Sequence, residues 1–109
     1  MGVRVASILA LMLLISACSA DRHEVDTRKL YWEERISREL PPGSSRMAVE
    51  NFFESSHLEH SYSETTQILY GIDRNVSGWL IRWDIMVKCY IDASNHLKSC
   101  TTRAIGTGP

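Results

Sequence analysis

From Trp79 to Ile91 every odd-numbered residue is apolar (Trp79, Ile81, Trp83, Ile85, Val87, Cys89 and Ile91), whereas Arg82, Asp84, Lys88, Tyr90 and Asp92 fall on even positions. Side chains alternate across a strand, so this pattern predicts one long strand over 79–91 with a buried face and a polar face. Two tryptophans on the apolar side require something substantial to pack against. The run Leu97 to Ile105 returns as a second strand after the turn residues Asp92, Ser94 and Asn95, leaving 106–109 as a tail. Upstream, Gln67-Ile68-Leu69-Tyr70-Gly71-Ile72 reads as a third strand, Arg74 to Gly78 as a turn, and the polar stretch His57 to Thr66 as a loop.

Before residue 57 the period changes. Val25, Trp32, Ile36 and Leu40 fall on one helical stripe, with Glu34 and Arg38 spaced as an i,i+4 pair, and Pro41-Pro42-Gly43 stops the run. A helix over 28–40 follows, preceded by a charged tether over 18–27. Ser44 or Ser45 can cap a second helix over 45–56, whose Met47, Val49, Phe52 and Phe53 form an apolar side. Phe52 and Phe53 are the natural cover for the tryptophan-bearing strand. The fold class is α+β: one or two N-terminal helices packed on a three-stranded antiparallel β-meander.

The first 20 residues follow another logic. Arg4 precedes an apolar run from Val5 to Ile15 broken only by Ser7, and no acid occurs before Asp21. A basic start, a short apolar stretch and small residues at its end predict a secretory signal over 1–17, too short to remain as a spanning helix. The sequence Ile15-Ser16-Ala17-Cys18 resembles the lipobox of bacterial lipoproteins. That resemblance implies diacylglyceryl transfer to Cys18, cleavage before it, and acylation of the new amino terminus. Such chains hold a protein on a membrane at about 0.8 kcal/mol per buried methylene. Ser19, not Asp, follows Cys18, and in lipoproteins of this type that implies the outer membrane over inner-membrane retention, with the domain facing the periplasm.

The three cysteines then divide into one lipid site and the pair Cys89 and Cys100. An exported domain is oxidised, so a disulfide between these two is expected. The hairpin allows two registers. With a loop of residues 93–96, Asp92 faces Leu97, Tyr90 faces Ser99 and Cys89 faces Cys100. With a three-residue loop and Asn95 in the left-handed conformation, Ile91 faces Leu97 and the two cysteines point to opposite faces. Only a bulge could reconcile these.

The element order, the run Leu40-Pro41-Pro42-Gly43-Ser44-Ser45 followed by Val49 and Phe52, and the closing Ile91-Asp92-x-x-Asn95-x-Leu97 together resemble small envelope lipoproteins of the BamE (SmpA/OmlA) type over residues 40–105. Ser55-Ser56-His57 stands where that family tends to carry Gly-x-Pro. The resemblance implies a fold similar to β-lactamase-inhibitor protein repeats.

Length and charge narrow the function. The chain has 109 residues, 12 bases and 13 acids, room for one domain and no clustered positive field of the kind nucleic acid requires. His57 and His60 with Glu54, Glu59 and Glu64 lack the further ligand spacing of a metal site, and no nucleophile elbow occurs. Asn75-Val76-Ser77 fits a glycosylation sequon, a coincidence beside a bacterial lipobox. The expectation is a non-enzymatic, cofactor-free and metal-free lipoprotein. It would touch the membrane through its lipid and an envelope protein through the strand face bearing Arg82, Asp84, Lys88 and Tyr90 or through a free edge strand. An inhibitor or immunity protein against a periplasmic hydrolase or toxin is the alternative.

Overall fold

The computed structural model describes residues 22–77 and 81–107. Cys18 with its lipobox, Trp79 and the last two residues lie outside that set. Two helices, α1 (residues 22–39) and α2 (Arg46–Ser55), precede four strands, β1 (Glu59–Ser63), β2 (Ile68–Ser77), β3 (Arg82–Ile91) and β4 (Leu97–Thr107). The strands form one antiparallel sheet in the order β1-β2-β3-β4, a plain meander with both helices on one face.

The sheet therefore has four strands where the hydrophobic pattern suggests three. The polar stretch 57–66 contains β1, an edge strand that pairs Ser61 with Tyr70 and Tyr62 with Leu69, and only its end turns partly inward. The segment 74–77, read as turn, continues β2 and pairs Ser77 with Trp83 across an irregularity that begins after Asp73. β3 runs over Arg82–Ile91; positions 79 and 80 of the expected strand lie outside the described residues, and Ile81, just before β3, is exposed. Trp83 is half-buried, and its indole lies over Gly106 of β4, where an added Cβ would come within 2.9 Å of the ring.

Helix α1 reaches further back than the 28–40 periodicity indicates. It is already helical at residue 22, and Val25 is buried, so residues 22–27 of the stretch read as a tether belong to the helix. Trp32, Ile36 and Leu40 carry the stripe into the core. Glu34 and Arg38 form no pair; Lys29–Glu33 at 3.4 Å and Arg35–Glu39 at 2.8 Å occupy the i,i+4 spacing. Arg35 also lies over the rings of Trp32 and Phe52, 4.9 Å from the latter's centroid, so its guanidinium roofs the seam between the helices.

Ser45 caps α2 by accepting from the Ala48 N–H at 3.1 Å, replacing a partner the first turn cannot supply. Val49, Phe52 and Phe53 then face the sheet, and Met47 stays in solvent. Phe53 is fully buried and its ring fills the place a side chain at position 71 would take, 3.0 Å from an added Cβ, which is why β2 carries Gly71. Trp32 donates from Nε1 to Asp73 Oδ2 at 2.8 Å, with Arg28 3.6 Å from the same carboxylate. One inward-facing acid of β2 thereby satisfies the indole of α1.

The β3–β4 hairpin contains both sequence registers. Asn95 adopts φ 62°, Ile91 pairs with Leu97, and a bulge then shifts the ladder so that Tyr90 pairs with Ser99 and Cys89 with Cys100. The sulfurs of Cys89 and Cys100 stand at bonding distance, with Cα atoms 4.1 Å apart.

Asp92 closes the loop. Its Oδ1 accepts from the His96 N–H at 3.0 Å, the Ser94 N–H at 2.9 Å and the Ser94 hydroxyl at 2.8 Å. These bonds, the His96 amide first, hold its carboxyl below the usual range. A depressed folded-state value gives stability that is present above the unfolded pKa and lost as pH falls through the folded one. Urea midpoints measured from neutral pH to below about pH 4 should fall less steeply in Asp92→Asn than in wild type; parallel slopes would refute this.

Candidate interaction surface

Residue parity decides what each sheet face offers. In β3, Ile85, Val87, Cys89 and Ile91 point to the helices, which places Asp84, Met86, Lys88 and Tyr90 on the other face. The pairing carries that division across the sheet: Ile68 joins Tyr90, Tyr70 joins Lys88, and Ile72 joins Met86 from β2, while Thr101, Arg103 and Ile105 follow from β4. Among the described residues nothing covers this face. Its centre is a half-buried strip of Ile68, Tyr70, Ile72, Met86 and Tyr90.

Charge surrounds the strip. Arg74 bonds Glu59 and lies 3.9 Å from Asp84, so it bridges carboxylates from β1 and β3. The Glu59 bond, the larger influence, raises the Arg74 pKa above its ordinary value and keeps the guanidinium charged. Lys88 Nζ sits 6.0 Å from the Tyr70 ring centroid. Arg82, Lys98 and Arg103 complete five cations against the two carboxylates Glu59 and Asp84. The face is cationic although the whole chain has net charge -1. Two shallow depressions flank the strip, one of about 340 Å³ between Thr66, Gln67, Tyr90 and Lys98, and one of about 170 Å³ beside Glu59, Tyr70, Ile72 and Arg74.

The four residues singled out from sequence, Arg82, Asp84, Lys88 and Tyr90, thus share one face. Tyr70, Ile72 and Met86 were not legible as members of it. Their signal was present in the even parity of Ile68, Tyr70 and Ile72, hidden because the β2 pattern is short. Asp73 was also missed; an acid at an inward position was the only hint of its bond to Trp32.

The histidines are divided by the same geometry. His57 takes φ 57° just beyond the C-cap of α2. His60 lies on the helix side of β1, its ring 6.1 Å from that of Phe53 and its Nε2 3.7 Å from Glu54. Ser61 points to the opposite face, so no serine–histidine couple forms there. Among the described residues no three His, Cys, Asp or Glu side chains converge as metal ligands. No described helix is long and apolar enough to cross a membrane.

The chain matches no protein-family model, no curated protein and no solved structure.

Proposed function

We propose that the chain is exported, acylated at Cys18, and held at the outer membrane facing the periplasm, where its α+β domain acts as a non-catalytic module that binds another envelope protein. The observation that carries the binding role is the sheet face that no described residue covers. A strip of tyrosine, isoleucine and methionine within a cationic rim has the composition of a protein interface, which is rich in Tyr, Met and Arg at its centre. The lipobox and the Cys89–Cys100 pair support the compartment, because a cross-strand disulfide fits an oxidising envelope. The order of α1, α2 and the meander is compatible with the BamE-type resemblance.

One experiment tests anchor and surface together. Cells are fed a clickable fatty acid, and a photo-crosslinking residue replaces either Lys88 on the open face or Glu34 on the outer side of α1. The expected result is a labelled membrane-bound protein, loss of label and release to the soluble fraction in Cys18→Ser, and a discrete crosslinked adduct from position 88 only. Unchanged fractionation of Cys18→Ser would overturn the anchor. The same adducts from both positions, or none from position 88, would overturn the surface.

A further inference from the structure

Among the described residues the edge of β4 is covered at one end only. There the segment joining the helices lies antiparallel to it. Leu97 N–H donates to Ser44 O at 2.7 Å, Gly43 N–H to Leu97 O at 2.8 Å, and Arg46 N–H to Asn95 O at 2.9 Å. The chain leaves this edge at Pro41 and Pro42, and the bulge at Lys98 follows. The Cα separation of 4.1 Å between Cys89 and Cys100 is the narrow spacing of an antiparallel pair that exchanges no hydrogen bonds of its own. Cys100 therefore turns its N–H and C=O away from β3, and by alternation Thr102, Ala104 and Gly106 do the same. Four donors and four acceptors line roughly 20 Å of outer edge.

Sheet edges are normally blunted by proline, by inward charges or by shortness. β4 is 11 residues long, carries no proline, and places its bulge at the end already covered. Beside this edge runs a groove of about 390 Å³ between α1 and β4, with Ile36, Leu40, Pro42 and Leu97 as its apolar lining. On the other face Lys98 and Arg103 are exposed, and neither joins an ion pair among the described residues.

We propose that β4 takes up an extended segment of a partner protein as a fifth strand, with aliphatic side chains on the α1 side and an acid opposite Arg103. The backbone groups require a strand, the groove selects aliphatic side chains at one parity, and the two free cations select a carboxylate at the other. A second copy of this chain fits less well, because antiparallel pairing of two β4 edges brings two sets of Lys98 and Arg103 onto one face. The site is distinct from the open sheet face and does not depend on the lipid anchor.

The test uses the isotope-labelled protein and the peptide acetyl-Thr-Val-Asp-Val-Thr-Val-Thr-amide. Set antiparallel with Asp opposite Arg103, its three valines stand opposite Ala104, Thr102 and Cys100. Saturating peptide should slow amide exchange about tenfold at those three residues and leave Thr101 and Arg103, already bonded to β3, unchanged. Lys in place of Asp should weaken binding about tenfold. N-methylation of the three valines should abolish binding, and N-methylation of Asp and the central Thr should leave affinity within about twofold, because only the first set of N–H groups faces β4. Absence of binding at millimolar peptide, equal binding of both methylated peptides, or protection spread over Met86 and Lys88 would overturn the proposal. So would protection of the same amides without peptide in a dimer seen by sedimentation. The crosslink from position 88 reports separately on the open face.

Discussion

A Phe53→Ala variant is expected to lose about 3–5 kcal/mol of folding free energy, the usual cost of deleting a phenyl ring from a closed site. Phe53 is fully buried and touches structure from three directions. Phe52 lies 5.9 Å away on its own helix, His60 lies 6.1 Å away on β1, and Gly71 of β2 sits beneath the ring. The Gly71 backbone cannot move up to fill the void without breaking its pairing to His60 and Val87, so the cavity persists. Domains of this size have about 5–15 kcal/mol in total. Urea denaturation should accordingly show a midpoint lowered by a large fraction with an unchanged slope. Met47→Ala on the same helix provides the contrast, because Met47 is 68% exposed and its loss should change the folding free energy by less than about 0.5 kcal/mol. Similar losses in the two variants would mean that α2 does not dock through Phe53.

That contrast also shows what a period can and cannot reveal. The helical stripe through Trp32, Ile36 and Leu40 and the strand parity from Ile85 to Ile91 are readable because those residues pack into one core with neighbours from other elements. Apolar periodicity records the need for cover, not its supply. Trp79, Ile81 and Trp83 continue the strand pattern, yet Trp83 is only half-buried and Ile81 exposed. The reverse failure hides β1. Its residues Glu59-His60-Ser61-Tyr62-Ser63 hold a place in the sheet by main-chain pairing to β2, and because its inward positions are His60 and Tyr62 and not aliphatic residues, no apolar alternation marks it.

The interaction face divides the same way. Lys88 and Tyr90 follow from the parity of β3 alone, whereas Tyr70 and Met86 become their neighbours only through the register between β2 and β3. No count of residues within one strand contains that register. The hairpin makes the limit concrete: each sequence register describes half of it correctly, and the extra residue at Lys98 lets both stand.

Removing the pair with Cys89→Ala and Cys100→Ala together is expected to lower stability by about 3 kcal/mol, since the bond joins residues 11 apart and the entropy of closing such a loop in the unfolded chain sets that scale. For a domain this small the thermal midpoint should fall by roughly 15 °C. Both residues must change together, because a single substitution leaves a reactive thiol, at Cys89 a fully buried one. Reductant acting on the wild type is the second measurement. It opens the bond without altering side-chain volume, so it should reproduce most of the loss, and it should leave the double variant unaffected. The bond ties β4 to β3 immediately after the bulge, at the first residue whose N–H and C=O turn to the free edge. Opening it should therefore raise amide exchange first at Thr101 and Arg103, which depend on β3, before the Phe53 core responds. A wild-type protein whose midpoint is insensitive to reductant, with thiols that alkylate without denaturant, would show that Cys89 and Cys100 are neighbours and not a bond.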